Sequence, residues 1–358
     1  MKILYVITGL GQGGAERVVC DLADKMYEKG NEVKIAYLTG EVLTQSTNIE
    51  IELIKINLNG LLTIVKSYKK LVTIIKEFEP DVVHTHMVHA NLLVRFMRLT
   101  VPIKRLICTA HNSNEGGIIR MLAYRITDSL ADLTTNVSNT AVTSFEEKKA
   151  IPKNTMKTIY NGVNFEKFTY LATAKQELIH ELNLNLEVKI ILAVGRFNTQ
   201  KNYPNLLNAI NILKEKYTLS FKLLIAGDGE LRTQIEKLIH QLDLSNEVVL
   251  LGRRNDIPKL MGACDVFVLS SDYEGLPTVL IEALGCQAHV VSTEVSGAKE
   301  IIDKNGEIVP VNSPSDLARS IETLLNKNGK NKSGSEFVRN RFDLNIISDQ
   351  WLDLYNEK

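Results

Sequence analysis

No uninterrupted apolar run in the 358-residue chain approaches the ~20 residues that cross a bilayer. The N-terminus enters a strand-like MKILYVIT directly, without the basic, apolar and small-residue regions of a signal peptide. Cysteine is scarce: Cys20, Cys108, Cys264 and Cys286 form no C-x-x-C pair, so neither a redox motif nor a disulfide framework is expected. These absences predict reduced thiols and a cytoplasmic protein, at most peripheral on the inner face of the membrane. An excess of charge is lacking too, since Lys+Arg and Asp+Glu both number 42. That balance argues against a general nucleic-acid partner. His84, His86, His89 and His111 cluster without a carboxylate or cysteine at ligand intervals, so no metal is expected.

What remains is a composition of 44% apolar and 23% charged residues, that of a soluble globular protein. The length suits two domains of roughly 150 to 200 residues each. Ile3–Thr8, a helix-like GGAERVVCDLADKMYEKG and Val33–Leu38 make a βαβ opening, and strand candidates at Asp81–Thr85, Arg105–Ala110, Leu133–Val137 and Met156–Tyr160 follow. After Asn161, Gly162 and Phe168 the composition turns polar and helix-like, and the rhythm restarts. Strands at Lys189–Val194, Lys222–Ala226, Glu247–Leu250, Asp265–Leu269 and Ala288–Ser292 alternate with helices such as Tyr203–Tyr217. Alternation of this kind predicts an α/β protein with two Rossmann-like domains, their parallel sheets facing a central cleft. The boundaries fall at residues 1–162 and 163–341, with a tail at 342–358. In the tail Ile346, Ile347, Trp351, Leu352 and Tyr355 share a helical face that must dock somewhere apolar.

The chain is organised around Ser270–Thr293, SSDYEGLPTVLIEALGCQAHVVST. Pro277 suits a first helical position, which sets Glu274 and Gly275 in the preceding turn. The free N–H groups of Thr278 and Val279 then favour a phosphate, and Glu282 lies one turn further in on the face of Thr278. A carboxylate accepts from two vicinal hydroxyls, so the arrangement suits a nucleotide sugar. In GRFNTQKN, Arg196 and Lys201 lie just past a strand end, a fork of donors and a point charge fit to neutralise a diphosphate. Arg253, Arg254 and Asn255 follow another strand, where a loop would meet a base. AGDGELR reads as a structural turn.

Gly9, Gly11 and Gly14 satisfy G-x-G-x-x-G. Glu16 in the first helical turn would compete with a bound pyrophosphate, so the glycines are read as permitting close approach to a phosphate or sugar rather than as a dinucleotide site. His111 sits past a strand end, well placed for a cleft, whereas His84 alternates with apolar residues and reads as structural. Leu61–Phe78 is amphipathic, with Lys66, Lys69, Lys70 and Lys76 off its apolar face, and Arg95, Arg98, Lys104 and Arg105 add a second basic cluster. An ordinary surface helix and contact with an anionic membrane both remain open.

GGAERVVCDLA, PDVVHTHMVHANLL, YNGVNFEKF, GRFNTQKNYPNLLNAI, AGDGELR and EGLPTVLIEAL, in that order, resemble glycosyltransferase family four, retaining enzymes of the GT-B fold. The resemblance implies that Arg196 and Lys201 hold a donor diphosphate, Glu282 the ribose and Glu274 the donor sugar. It further implies that Gly14 approaches the donor, that His111 contacts a sugar hydroxyl, and that the C-terminal helix crosses back to the first domain. No cofactor or metal is implied, and no protein nucleophile. Similarity to bacterial O-antigen and capsule transferases implies a UDP-linked hexose or N-acetylhexosamine donor and a polyprenyl-diphosphate-linked saccharide acceptor. A GDP-sugar, a soluble acceptor or a sugar-nucleotide-binding regulatory subunit are the alternatives. Gln287, Ala288 and His289 stand where the family often has Gly, any residue and Pro, so the turn before Val290 is expected to differ.

Overall fold

The computed structural model describes residues 1–11, 13–216 and 220–357. The chain divides into two compact units, Met1–Asn164 with Phe342–Lys358, and Phe165–Arg341.

In the first unit β1 (Lys2–Ile7), β2 (Glu32–Tyr37), β3 (Glu52–Lys55), β4 (Val82–His86), β5 (Leu106–Ala110), β6 (Leu133–Asn136) and β7 (Met156–Thr158) form a sheet ordered β3-β2-β1-β4-β5-β6-β7. Every pairing is parallel. Parallel neighbours need long crossovers, most of them supplied by α1 (Gly14–Glu28), α2 (Ile64–Phe78), α3 (Val88–Met97), α4 (Ile118–Thr127) and α5 (Asn139–Glu147). Both faces of β1 are covered: Ile3, Tyr5 and Ile7 pack with Val19, Leu22 and Met26 of α1, and Leu4 and Val6 with Leu71, Ile75 and Val94. Two covered faces are why the strand reads as a continuous apolar run.

The second unit repeats the plan. β8 (Lys189–Val194), β9 (Phe221–Ala226), β10 (Val248–Gly252), β11 (Val266–Leu269), β12 (His289–Thr293) and β13 (Glu307–Val309) are ordered β10-β9-β8-β11-β12-β13, again all parallel. Its helices are α6 (Ala174–Glu181), α7 (Tyr203–Lys216), α8 (Arg232–Gln241), α9 (Ile257–Ala263), α10 (Thr278–Gly285), α11 (Ala298–Ile302) and α12 (Pro314–Leu325). The chain ends with α13 (Lys332–Phe342) and α14 (Leu344–Asn356). In each sheet the strand order reverses beside the first strand of the repeat. The carboxyl ends of β1 and β4, and of β8 and β11, are therefore where such sheets bind ligands.

Helix α14 lies within the first unit, where Ile347, Trp351, Leu354 and Tyr355 join the cluster around Ile3 and Tyr5. The buried face differs from the one expected, because Leu354 turns inward while Ile346 is 40% exposed. The expected helix at Leu61–Phe78 begins with a 3-10 turn at Leu61–Thr63, and its buried side is Ser67, Leu71, Ile75 and Phe78. Ile64 and Val65, placed on that side by periodicity, are exposed. The core reaches only the later turns. The expected end of α7 at Tyr217 lies outside the described residues.

Candidate active site

In the second unit, the segment after β8 and the segment after β11 are tied together. Thr199–Lys201 forms a 3-10 turn capped by the Asn198 side chain, which accepts from the Lys201 N–H at 3.2 Å. Ser270 Oγ donates to the Lys201 carbonyl at 2.8 Å, and the Asp272 N–H to the Gln200 carbonyl at 2.9 Å. Between the two segments, Lys201 Nζ stands 2.7 Å from Glu274 Oε1. Ser271 Oγ donates to the same oxygen at 2.8 Å, and Gln200 Nε2 donates to Oε2 at 3.1 Å. Three donors fix the plane of one largely buried carboxylate, and Lys201 keeps further N–H groups for a ligand.

The AGDGELR turn explains why this loop holds its shape. A Cβ on Gly227 would fall 1.9 Å from the Gly195 carbonyl oxygen, and one on Gly229 2.5 Å from the Phe197 carbonyl oxygen. Only glycine lets the β9 turn lie against the segment carrying Arg196 and Lys201. Tyr203 OH, at the start of α7, donates to the Gly195 carbonyl at 2.9 Å and closes the loop from the other side.

Arg196 is exposed on this same loop. Thr278 and Val279 open α10 and stay partly accessible, Glu282 is half-buried one turn on, and Gly275 is buried beside them. Pro277 occupies the cap position rather than the first helical one, with its carbonyl accepting from the Leu280 N–H at 3.0 Å. Arg254, expected where a loop would meet a base, is engaged by carboxylates of its own unit. Its guanidinium forks onto Asp256 at 2.8 and 2.6 Å and reaches Glu181 at 2.7 Å, so these donors brace α9 against α6.

The turn after α10, expected to differ for want of glycine, closes on a residue with a Cβ. The Ala288 N–H donates to the Ala283 carbonyl at 3.0 Å and the Gln287 N–H to the Leu284 carbonyl at 2.8 Å, with Gln287 at φ 61°. These two bonds define the helix ending that usually places glycine in the left-handed position. Gln287 adopts that conformation because the paired carbonyls outweigh its Cβ strain.

In the first unit Gly14 is exposed as the first residue of α1. A Cβ on the preceding Gly13 would fall 2.2 Å from Glu16 Oε2, so the carboxylate of Glu16 folds back over the helix start. That is the competition with an anion expected from its position. His111, just past β5, is buried, with Nε2 3.0 Å from His86 Nδ1. His84 is buried and structural, its nitrogens 2.7 Å from Tyr355 OH and 2.7 Å from Thr109 Oγ1. Residues that sequence reasoning did not place in the site are Ser271, Gln200, His86 and Glu115. None has a spacing signal, because each acts through a fold contact.

Glu115 is buried beside His111, whose backbone N–H donates to its Oε1 at 3.3 Å. Burial pushes this carboxyl up to about 7 and the His111 imidazole down to about 4. A carboxyl that binds its proton more tightly when folded loses stability as pH rises from 4.5 through about 7. The buried histidine acts in the opposite sense, losing stability as pH falls from 6.5 toward about 4. Glu115→Gln should therefore gain about 3 kcal/mol relative to the parent between about pH 4 and about pH 8. Urea unfolding across that range measures it, and a pH-independent difference would contradict a carboxyl raised by burial.

Residues 174–341 match the family described as Glycosyl transferases group 1, and residues 12–167 match Glycosyltransferase Family 4. An uncharacterized glycosyltransferase of Methanocaldococcus jannaschii is 31% identical over 79% of this chain and 73% of its own. The chain belongs to glycosyltransferase family four. The transferase is also 28% identical, over 90% of each chain, to the N-acetylgalactosamine-N,N'-diacetylbacillosaminyl-diphospho-undecaprenol 4-alpha-N-acetylgalactosaminyltransferase of Campylobacter jejuni. Among solved structures, Anabaena HepE in complex with UDP and glucose matches it with a TM-score of 0.85, covering 99% of both chains at 20% identity. At that identity the likeness is one of fold. The family models meet just past Gly162, at the polar composition change seen in the sequence.

Proposed function

We propose that this glycosyltransferase moves a hexose or N-acetylhexosamine from a UDP-linked donor to a polyprenyl-diphosphate-linked saccharide, with retention, in bacterial surface-polysaccharide assembly. The observation that carries the reading is the Lys201–Glu274 pair, held between the carboxyl ends of β8 and β11 with the start of α10 following. The Campylobacter relative named for a diphospho-undecaprenol acceptor supports the acceptor class. HepE, solved with UDP and glucose, supports the donor class.

In this reading Lys201 and Arg196 neutralise the diphosphate as the glycosidic bond lengthens, helped by the N–H groups of Thr278 and Val279, and no metal is required. Glu282 accepts from the ribose hydroxyls and Glu274, beside Gly275, from the donor sugar. In the first unit, Gly14 admits a phosphate or sugar to the loop and His111 meets a sugar hydroxyl. The acceptor hydroxyl attacks the anomeric carbon on the face the diphosphate leaves, and the departing phosphate oxygen takes its proton. The purified protein should release UDP from a nucleotide-sugar panel, and a protein that binds but releases none would be a regulatory subunit. Glu282→Ala should weaken UDP binding about 10- to 100-fold, the worth of a charged hydrogen-bond pair. Calorimetry giving an unchanged Kd would remove Glu282 from the site.

Membrane contact belongs to the same proposal, but on α4 rather than the lysine-rich α2. Ile118 (86% exposed), Leu122 and Ile126 recur every four residues along α4, with Ile119 beside them at 85%. Arg120 and Arg125 share that helix, and it contains no Asp or Glu. An exposed apolar row with cations alone suits an anionic bilayer surface. Binding to phosphatidylglycerol vesicles should fall in Ile118→Ser/Ile119→Ser and in high salt. Equal binding to neutral vesicles would count against it.

A further inference from the structure

His86 closes β4 with its ring fully buried, 4.1 Å between centroids from His84 and 5.2 Å from His111. Its Nδ1 stands 3.0 Å from His111 Nε2, and its Nε2 meets no hydrogen-bond partner. His84 cannot serve, since both its nitrogens are taken by Tyr355 and Thr109. Burial keeps His86 and His111 neutral, so one proton lies between the facing nitrogens and two arrangements exist. If His111 donates, the proton of His86 sits on Nε2 as a buried N–H without an acceptor. If His86 donates, only a lone pair is left there. Orphaned buried N–H groups are the rarer case in folded proteins, and each costs the desolvation of a donor.

We infer that His86 is a positioning residue, donating through Nδ1 to His111 Nε2 and so holding His111 in its Nδ1–H form. In this form His111 Nδ1 offers a ligand oxygen a neutral donor, and that nitrogen has no lone pair with which to act as a base. An imidazole in water prefers the Nε2–H form, so the fold reverses the ordinary preference. The consequence for turnover rests on the sugar-contact reading of His111, whereas the tautomer does not.

Histidine-labelled full-length protein distinguishes the two forms by long-range 15N–1H NMR, with His111→Asn identifying the resonance. The wild type should show His111 as Nδ1–H. His86→Phe, which keeps a ring and removes the nitrogens, should lower donor turnover about tenfold, the worth of one oriented hydrogen bond. Nε2–H in the wild type would overturn the inference. Nδ1–H in the wild type with unchanged turnover in His86→Phe would end the positioning role and leave the transferase reading intact. If no nucleotide sugar is turned over, the wild-type spectrum still decides the tautomer.

Discussion

Lys201→Ala should lower turnover about 100- to 1,000-fold while changing the Kd for donor less than tenfold, because a preorganised donor acts on charge that appears only as the bond breaks. The ammonium is already placed 2.7 Å from Glu274. Removing it also strips one of three partners from a largely buried carboxylate, so a loss of about 1–3 kcal/mol in stability should accompany the kinetic effect. Lys201→Arg restores the charge without the compact geometry and should recover only part of the rate. Single-turnover measurements at saturating donor separate the steps. An unchanged chemical rate in Lys201→Ala would remove the leaving-group role, whatever happened to stability.

Trp351→Ala should destabilise the first unit by about 3–5 kcal/mol, as large-to-small changes of fully packed aromatics do. Trp351 is 4% exposed and packs in the cluster with Ile3 and Tyr5, its ring 4.5 Å from that of His84. The lesion is near the C-terminus, yet its effect belongs to β1 and β4, because α14 lies in their unit. Amide exchange in β1 and β4 should quicken while β8 and β11 keep their protection. Loss of protection confined to α14 itself would show that the helix is an appendage and not part of the core.

Much of the candidate site is legible in the sequence because its proposed chemistry is local. Glu274, Thr278 and Glu282 lie within one turn and the helix after it, so helix geometry alone relates them. Arg196 and Lys201 share one short loop past a strand, and strand ends in a parallel sheet are where ligands sit. Arg254 shows the complementary limit. Its position after β10 is legible, but the carboxylate that takes its third bond, Glu181, is 73 residues away. That the exposed apolar row lies on α4 and not on α2 is not legible in the sequence, because periodicity reports which residues share a face. It cannot report which neighbour covers that face, and α2 is buried at Leu71 and Ile75 while α4 is left open at Ile118 and Ile119.

By itself, the order of residues determined the two parallel α/β repeats, since continuous apolar strands alternating with amphipathic helices have few other ways to bury both faces of a sheet. It determined, too, the loops carrying the candidate acids and cations. Tertiary structure alone decided the pairing of Lys201 with Glu274, the stacking of His84, His86 and His111, and the burial that drives His111 and Glu115 away from their ordinary titration ranges. Those are contacts between segments far apart in the chain, and desolvation depends on what surrounds a group in space rather than on its neighbours in sequence.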